Sequence, residues 1–487
     1  DPFGGTSIVP GQIGAEAGMN QMHDSNYLKE RYQDNYRNED YQYYQERKKL
    51  DNDPNAGNQV IQNYNGGSIQ QATVEEMNTK GVFVNSVEVA PSEILTKEEI
   101  NKLVQPIVGK NVFIEDIQKV IDSINNLYAE KGFVTARAFL PEQTVENGNI
   151  YIALTESKIG SISVQQNKWT KDGYITSRLP QKEGELFDIV ELEKDVLDFN
   201  RYNEGIKLSA NLKAGEKPGT TDIELVADES FPFHVMGIMD NAGRYSTGSI
   251  RGGAMLYADS LFGHRDRMSL GSYFSRGAQS PFFDYNFPVN KKDGRVGFMF
   301  SSTFADIKYG PMTPLKLGSN AYQYSLYYTQ PIVRKPGFEL KTYAGINYKR
   351  ARTFTDIRTG SPFDDLMRDA INSTDNITSA ELALMLRKDT KYGIWYLNQN
   401  AYYSFPIFNS DRDNNYFKYS GSLVRLHDFS HGIIGQLRSN YQIIPGDKKI
   451  PYLDQMQTGG LATVRGYSEG MMIGKNGYFI SGELMFP

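Results

Sequence analysis

Arg465 is the side chain whose setting points most directly to chemistry. It lies in Val464-Arg465-Gly466-Tyr467, inside a Gly-rich loop that runs into an alternating strand at the end of the chain. A loop of small, flexible residues carrying one fixed cation is suited to bringing that charge to a buried partner. The chemistry implied is an ion pair that pins a loop, with Gly466 permitting the sharp turn and Tyr467 packing beside the cation. The same four residues would also serve a solvated surface loop, so their meaning depends on the elements around them. Enzyme chemistry finds little support. The chain has 5 His and no Cys, with no cluster at zinc- or iron-ligand spacing. No Gly-x-Ser-x-Gly nucleophile elbow occurs, and Asp364-Asp365 reads as a solvated loop tip rather than a paired acid. The expectation is a non-enzyme with no cofactor and no metal.

The strand after the loop is two-sided. Tyr478, Ile480, Gly482, Leu484 and Phe486 fall on one face, and Phe479, Ser481, Glu483 and Met485 on the other. A period of 2 with an apolar face opposed to a partly polar one is what a strand shows between lipid and a wet lumen. About twelve candidate strands follow Phe231, where helices are expected to disappear. Phe338, Leu340, Ala344, Ile346 and Tyr348 oppose Glu339, Lys341, Asn347 and Lys349. Likewise Gln436, Arg438, Asn440 and Gln442 oppose Leu437, Tyr441 and Ile443. Mid-strand charges such as Lys341 and Arg438 are costly facing lipid and cheap facing water.

At 487 residues the chain exceeds one compact core. Its mean hydropathy is −0.51, and no run approaches the roughly 18 apolar residues of a membrane helix. The 32 Tyr, 26 Phe and 45 Gly suit a membrane β-barrel or a large soluble all-β protein alike. A net charge of −6 argues against nucleic acid as a partner. The absence of Cys rules out a disulfide framework and suits passage through an oxidising compartment. The chain opens at Asp1 without an apolar leader, so a targeting segment already removed, or a fragment, is expected.

Four regions follow. Residues 1–75 are polar and of low complexity, with a charged, Tyr-dense run from Tyr27 to Leu50 that could be disordered or one helix. Residues 76–157 show β-α-α-β-β order. Val82–Val89 alternates, Thr96 and Glu99 form a capping box, and Ile114 to Tyr128 carries an amphipathic stripe stopped at Gly132. Strands Val134–Leu140 and Ile150–Thr155 close the unit. Residues 158–230 repeat that order: Ile159–Val164, a short helix over Gly173–Leu179, a helix with Ile189, Leu192, Val196 and Phe199, then Ile206–Leu212 and Asp222–Ala227. Residues 231–487 hold the strands, with a long loop at 446–477.

Connection lengths separate the two all-β readings. Short links (Leu261–Asp266, Asn290–Gly294, Arg334–Gly337, Lys388–Gly393, Ser430–Gly432) interleave with longer ones (Pro311–Ala321, Asp356–Asn376, Asn409–Asn415, Gly446–Gly477). Two early links, Gly243–Gly248 and Gly277–Gln279, are short and blur the pattern. Short turns at one end and long loops at the other mark outer-membrane barrels, whose turns face the periplasm. A soluble sandwich has no reason to sort its loops.

With the order in place, the chain resembles the outer-membrane transporters of two-partner secretion (type Vb), the haemolysin-activator and filamentous-haemagglutinin-transporter kind. Three stretches carry the resemblance: Asp240-Asn241-Ala242-Gly243 with Thr247-Gly248, Leu261-Phe262-Gly263-His264-Arg265-Asp266, and Val464-Arg465-Gly466-Tyr467. The resemblance implies α+β periplasmic POTRA domains at 76–157 and 158–230, which accept an unfolded client along their strand edges. It implies a transmembrane antiparallel β-barrel at 231–487 in the bacterial outer membrane. Val464, Arg465, Gly466 and Tyr467 become a loop folded back into the lumen, governing passage. The partner is a secreted protein (a large β-helical exoprotein, adhesin or haemolysin), alongside outer-membrane lipid. The Tyr27–Leu50 run is a candidate plug helix. Sixteen strands are expected of such a barrel and twelve are counted, so its last four strands, with the acidic partner of Arg465, are expected to be missing. A barrel-assembly insertase of the same superfamily and a passive porin-like channel remain rivals, with a soluble β-rich adhesin further off.

Overall fold

A capping box sets the first of the helices described in the computed structural model, in which Thr96 accepts from the Glu99 amide and the Glu99 side chain takes the Thr96 amide in return. The structure describes residues 61–62 and 81–486, except 134, 142, 144, 146, 204, 242, 336, 410–414, 430, 461–462 and 468–469. The Tyr27–Leu50 run therefore lies outside the described residues. Two units are present, one over Asn52–Phe231 and the other containing Pro232–Pro487.

In the first unit, β1 (Ile61–Gln62) is followed by β2 (Val82–Phe83) and β3 (Ser86–Val89). The expected single strand Val82–Val89 is thus broken at Val84, a fully buried residue. Helix α1 (Lys97–Val104), β4 (Asn111–Val112), α2 (Ile114–Glu130), β5 (Arg137–Phe139) and β6 (Asn149–Thr155) follow. The α2 stripe Ile117, Val120, Ile121, Ile124 and Tyr128 is buried, packing with Ile150 and Ile152 of β6 in one core. Each such aliphatic side chain contributes about 1.5–3 kcal/mol by leaving water. The sheet order is β3-β6-β5, with β3 parallel and β5 antiparallel to β6.

A second arrangement has β7 (Lys158–Gln165), α3 (Asp172–Thr176), α4 (Ile189–Tyr202), β8 (Ile206–Ala214) and β9 (Thr220–Glu229). Asp188 caps α4 by accepting from the Val190 and Glu191 amides. Leu192, Val196 and Phe199 of α4 bury against Leu208, Leu212 and Leu225. Here β7 lies parallel and β8 antiparallel to β9, the pairing pattern of β3, β5 and β6. Strand β1 adds to the free side of β8 in parallel.

The second unit is a twelve-stranded antiparallel sheet in which each strand pairs with its sequence neighbour. Its members are β10 (Phe233–Asp240), β11 (Arg251–Asp259), β12 (Arg267–Phe274), β13 (Ala278–Pro288), β14 (Arg295–Asp306), β15 (Leu317–Lys335), β16 (Phe338–Thr355), β17 (Ser373–Thr390), β18 (Gly393–Phe405), β19 (Phe417–Asp428) and β20 (Ile434–Ile443), then β23 (Gly477–Met485). Between β20 and β23 a short hairpin, β21 (Met456–Thr458) and β22 (Met472–Gly474), pairs within itself.

Register makes the two faces differ. Ser325, Asn347, Ser379 and Ser404 align across four neighbouring strands, and all four are buried. One residue along, Leu326 pairs with Ile346 on the opposite face, where both are exposed, Ile346 by 61%. A sheet that encloses hydroxyls and amides and exposes Ile and Leu is turned inside out relative to a water-soluble fold. Two expectations are corrected here. Helices do not vanish after Phe231, because α5 (Phe363–Ile371) forms in the β16–β17 loop. Its Ile371 and Met367 bury against Ile307, Leu317, Met312 and Leu315. Asp364 is also not a solvated tip: it is buried. The Thr359 hydroxyl and the Thr359 and Gly360 amides donate to it and hold its carboxyl below the usual range.

Candidate functional site

Residues 444–477 leave the long-loop end of β20 and return to β23, and their contacts define the site. The tip carries Val464, Arg465, Gly466 and Tyr467. Gly466 has φ of +91°, a conformation costly for any residue with a Cβ. Arg465 Nη2 donates to Glu483 Oε1 at 2.8 Å. Glu483 lies on the inward face of β23 with Phe479 and Ser481, while Tyr478, Ile480 and Leu484 are exposed outward. The acidic partner of Arg465 was expected on a later strand; within this chain the acidic group it meets is Glu483. Glu483 is 18 residues on, and its place on the less apolar strand face was the available signal. The cation is also less enclosed than anticipated. Its side chain is 56% exposed against 11% for Glu483, so the pair is open to water at the cation and enclosed at the carboxylate. Tyr467 and Val464 are exposed as well, so the four residues do not converge on one buried spot.

The buried charge of the loop is elsewhere. Asp454, in the short 3-10 turn Tyr452–Asp454, accepts from Lys349 Nζ of β16 at 2.9 Å and Lys418 Nζ of β19 at 3.1 Å. The Tyr416 hydroxyl donates to its other oxygen at 2.6 Å. All three ionic side chains are nearly inaccessible, at 3% for Asp454, 5% for Lys349 and 8% for Lys418. One carboxylate between two ammonium groups, with a phenol completing its acceptor sites, is a closed arrangement. Leu453 packs beside it against Ala321 and Ile377 of the strand wall. Sequence reasoning missed this cluster. Lys349 had been placed on the polar face of its strand, but nothing local in Tyr452-Leu453-Asp454 announces a destination.

The short-turn end holds a second set of ion pairs. Asp293 bridges Arg295 and Arg334, each at 2.9 Å, and Arg334 continues to Glu339 at 3.1 Å. In the Leu261–Asp266 turn, Asp266 accepts from the Phe262 amide at 3.0 Å and is buried. At the opposite, long-loop end, Asp240 of the first hairpin takes both Nε and Nη2 of Arg251 at 2.8 Å. Among the described residues no group of His, Asp and Glu has a metal-holding arrangement.

These features define a class: a membrane protein that crosses with strands, joined to small α+β domains, with a long loop lying on the polar face of its sheet. The chain belongs to the haemolysin secretion/activation protein ShlB/FhaC/HecB family, whose profile matches residues 219–487, and a POTRA domain of the ShlB type matches residues 82–157. It is 23% identical over 422 residues to the heme/hemopexin transporter protein HuxB of Haemophilus influenzae, covering 80% of this chain and 69% of that protein. The outer membrane transporter CdiB of Escherichia coli O6:K15:H31 (strain 536 / UPEC) is 22% identical over 82% of this chain and 68% of its own length. Among solved structures, CdiB from Escherichia coli superposes with a TM-score of 0.56 at 19% identity, over 98% of this chain and 84% of that one. BamA from Haemophilus ducreyi gives 0.51 at 14% identity, over 84% and 83% respectively. The last two likenesses speak to the fold alone. The chain is an outer-membrane transporter of the two-partner secretion type with POTRA structure on the periplasmic side, and its family is one of transporters.

Proposed function

We propose that this protein takes an unfolded secreted partner from the periplasm and passes it through the lumen of its strand domain, the loop tip at Arg465 controlling the passage. The observation that carries this reading is the inward face of the sheet: polar, enclosed, and crossed by a loop whose tip is held by one half-exposed ion pair. A chain threading that space meets hydroxyls, amides and charges, while the Leu and Ile face meets lipid. The proposed division is a polar segment at 1–75, POTRA domains at 76–157 and 158–230, and the strand domain at 231–487. The second POTRA assignment is supported by the pairing pattern shared by β7, β8, β9 and β3, β5, β6. In this reading an extended client pairs along a strand edge of these domains, which is β-augmentation. The client in this reading is a large β-helical exoprotein, an adhesin or a haemolysin, and the protein catalyses no covalent step.

The experiment is co-expression with the secreted partner encoded beside it, comparing wild type with Arg465→Ala. Loss of partner from the medium, with the transporter at normal level in the outer membrane, is the expected result. Unchanged release removes the tip from the mechanism.

A further inference from the structure

The outward face of β16 carries two arginines. Alternation along the strand sends Phe338, Leu340, Ala344, Ile346 and Tyr348 to the side away from the buried Asn347 and Lys349. Arg350 and Arg352 continue that outward row, and both are exposed. From Phe338 to Tyr348 the strand covers roughly 34 Å, which at the usual tilt is about 25 Å of depth, the height of the apolar band of an outer-membrane barrel. Arg350 therefore stands just past the band, at headgroup level, with Arg352 one layer further out. Because β16 leaves the short turn after Lys335 and runs toward the loop that carries α5, this is the outer-leaflet end. The rows across neighbouring strands agree. Tyr348 is level with Tyr324 of β15, and Tyr324 with Phe300 of β14. Their ring centroids are 6.4 and 5.1 Å apart in succession, an aromatic girdle of the kind that marks the interface. Arg350 is level with Tyr322 and Asn376, and Arg352 with Asn320 and Thr374, so apolar side chains give way to hydroxyls and amides at the same depth.

Neither cation is matched by an anion: among the described residues no carboxylate pairs with Arg350 or Arg352. The Arg352 guanidinium lies 5.9 Å from the Phe354 ring centroid. Two carboxylates of the same rim are taken by cations of their own, Asp306 by Lys308 at 3.2 Å and Asp356 by Arg358 at 3.1 Å. The outward arginine at the short-turn end, Arg425, is engaged within the protein. It lies 5.0 Å from the Trp395 ring centroid and donates to the Thr390 hydroxyl at 3.0 Å.

We propose that Arg350 and Arg352 form a binding site for a phosphorylated sugar lipid of the outer leaflet, whose phosphate monoester the two guanidinium forks grip. The inference rests on the strand domain lying in the outer membrane and is independent of how the lumen passes its cargo. Two positions apart on one face, the arginines are about 7 Å apart at Cα, a gap that their flexible stems close over one phosphate. The planar fork of arginine matches phosphate oxygens two at a time. A phosphate monoester carries close to two negative charges and so balances both guanidinium groups, whereas the single charge of a phosphodiester leaves one over. The hydroxyls and amides of Tyr322, Asn320 and Thr374 in the same rows suit the sugar that carries the phosphate.

The test uses the intact protein in detergent, with diphosphoryl lipid A as the probe and native mass spectrometry reading the bound lipid. Wild type is expected to bind diphosphoryl lipid A about tenfold more tightly than phosphatidylglycerol, and Arg350→Gln/Arg352→Gln to lose about tenfold of that affinity. Both side chains are exposed, so the substitutions leave the enclosed face of the sheet untouched, and heat-modifiable migration reports that the variant is folded. Arg425→Gln is expected to bind as wild type does. An equal loss in Arg425→Gln would show attraction to any outward charge and overturns the site. Wild-type binding by the double variant overturns it as well. Phosphatidylglycerol held as tightly as lipid A, or displacement of lipid A by millimolar inorganic phosphate, overturns the assignment to a phosphorylated sugar lipid.

Discussion

Lys349 and Asp454 are 105 residues apart in sequence and 2.9 Å apart in space, both enclosed. That pair joins the middle of the strand domain to a loop near the end of the chain, and Lys418 closes it from a third element. The structural weight of the loop therefore lies at Asp454, while the motif that announces the family lies at Arg465.

Asp454→Ala strands the two buried lysines and is expected to destabilise the strand domain by roughly 3–5 kcal/mol. The triple variant Asp454→Asn/Lys349→Met/Lys418→Met is expected to recover part of that loss, because neither ammonium group is left without Asp454. Urea-dependent loss of heat-modifiable migration measures both. Equal destabilisation by the two variants would show that packing, not charge, dominates the site.

Arg465→Ala separates function from stability. The Arg465 side chain is open to water and packs little, so the unfolding midpoint is expected to stay near wild type while secretion falls. A large drop in the midpoint would show that the tip is a structural brace.

The two faces of the sheet are expected to answer differently to one substitution. Leu382, in the middle of β17, is 65% exposed on the apolar face, and Leu382→Arg is expected to cost about 2–4 kcal/mol in a bilayer. Ser269→Arg, opposite Asp284 on the polar face, is expected to cost little. Folding yield into lipid vesicles distinguishes them.

Glu99 supplies a pH test in the POTRA domain. The Lys131 ammonium, followed by the Thr96 amide and hydroxyl, lowers its carboxyl from 4.5 to about 2. A carboxylate with a depressed folded pKa adds stability that is complete above the unfolded value and lost as pH falls through the folded one. Helix α1 is expected to lose protection from hydrogen exchange as pH falls from about 4.5 toward 2. Glu99→Gln is expected to flatten that dependence, and a wild-type slope in the variant would assign it to another group.

Ile152 is fully buried in the core shared by α2 and β6. Truncation to Ala is expected to cost about 2–5 kcal/mol, read as earlier proteolysis of residues 82–157 in denaturant. A cost below that range would mean the site collapses around the missing atoms.

What the sequence determined alone is what depends on near neighbours. Alternation at period 2 placed Ser481 and Glu483 opposite Ile480 and Leu484, because successive side chains of a strand point to opposite faces. Capping chemistry at Thr96 and Glu99 marked α1, since the donors a helix start leaves open are met within three residues. The sorting of short and long links marked the two ends of the strand domain. Tertiary structure decided the rest. Glu483 could be put on a face but not matched to Arg465, because the path of the intervening loop is set by contacts at its base. The Lys349–Asp454–Lys418 cluster left no local trace, since each member looks like an ordinary polar residue until the strands bring them together. Helix α5 was hidden for the same reason: a short amphipathic segment holds its shape only once Ile307 and Leu317 give its apolar side something to cover.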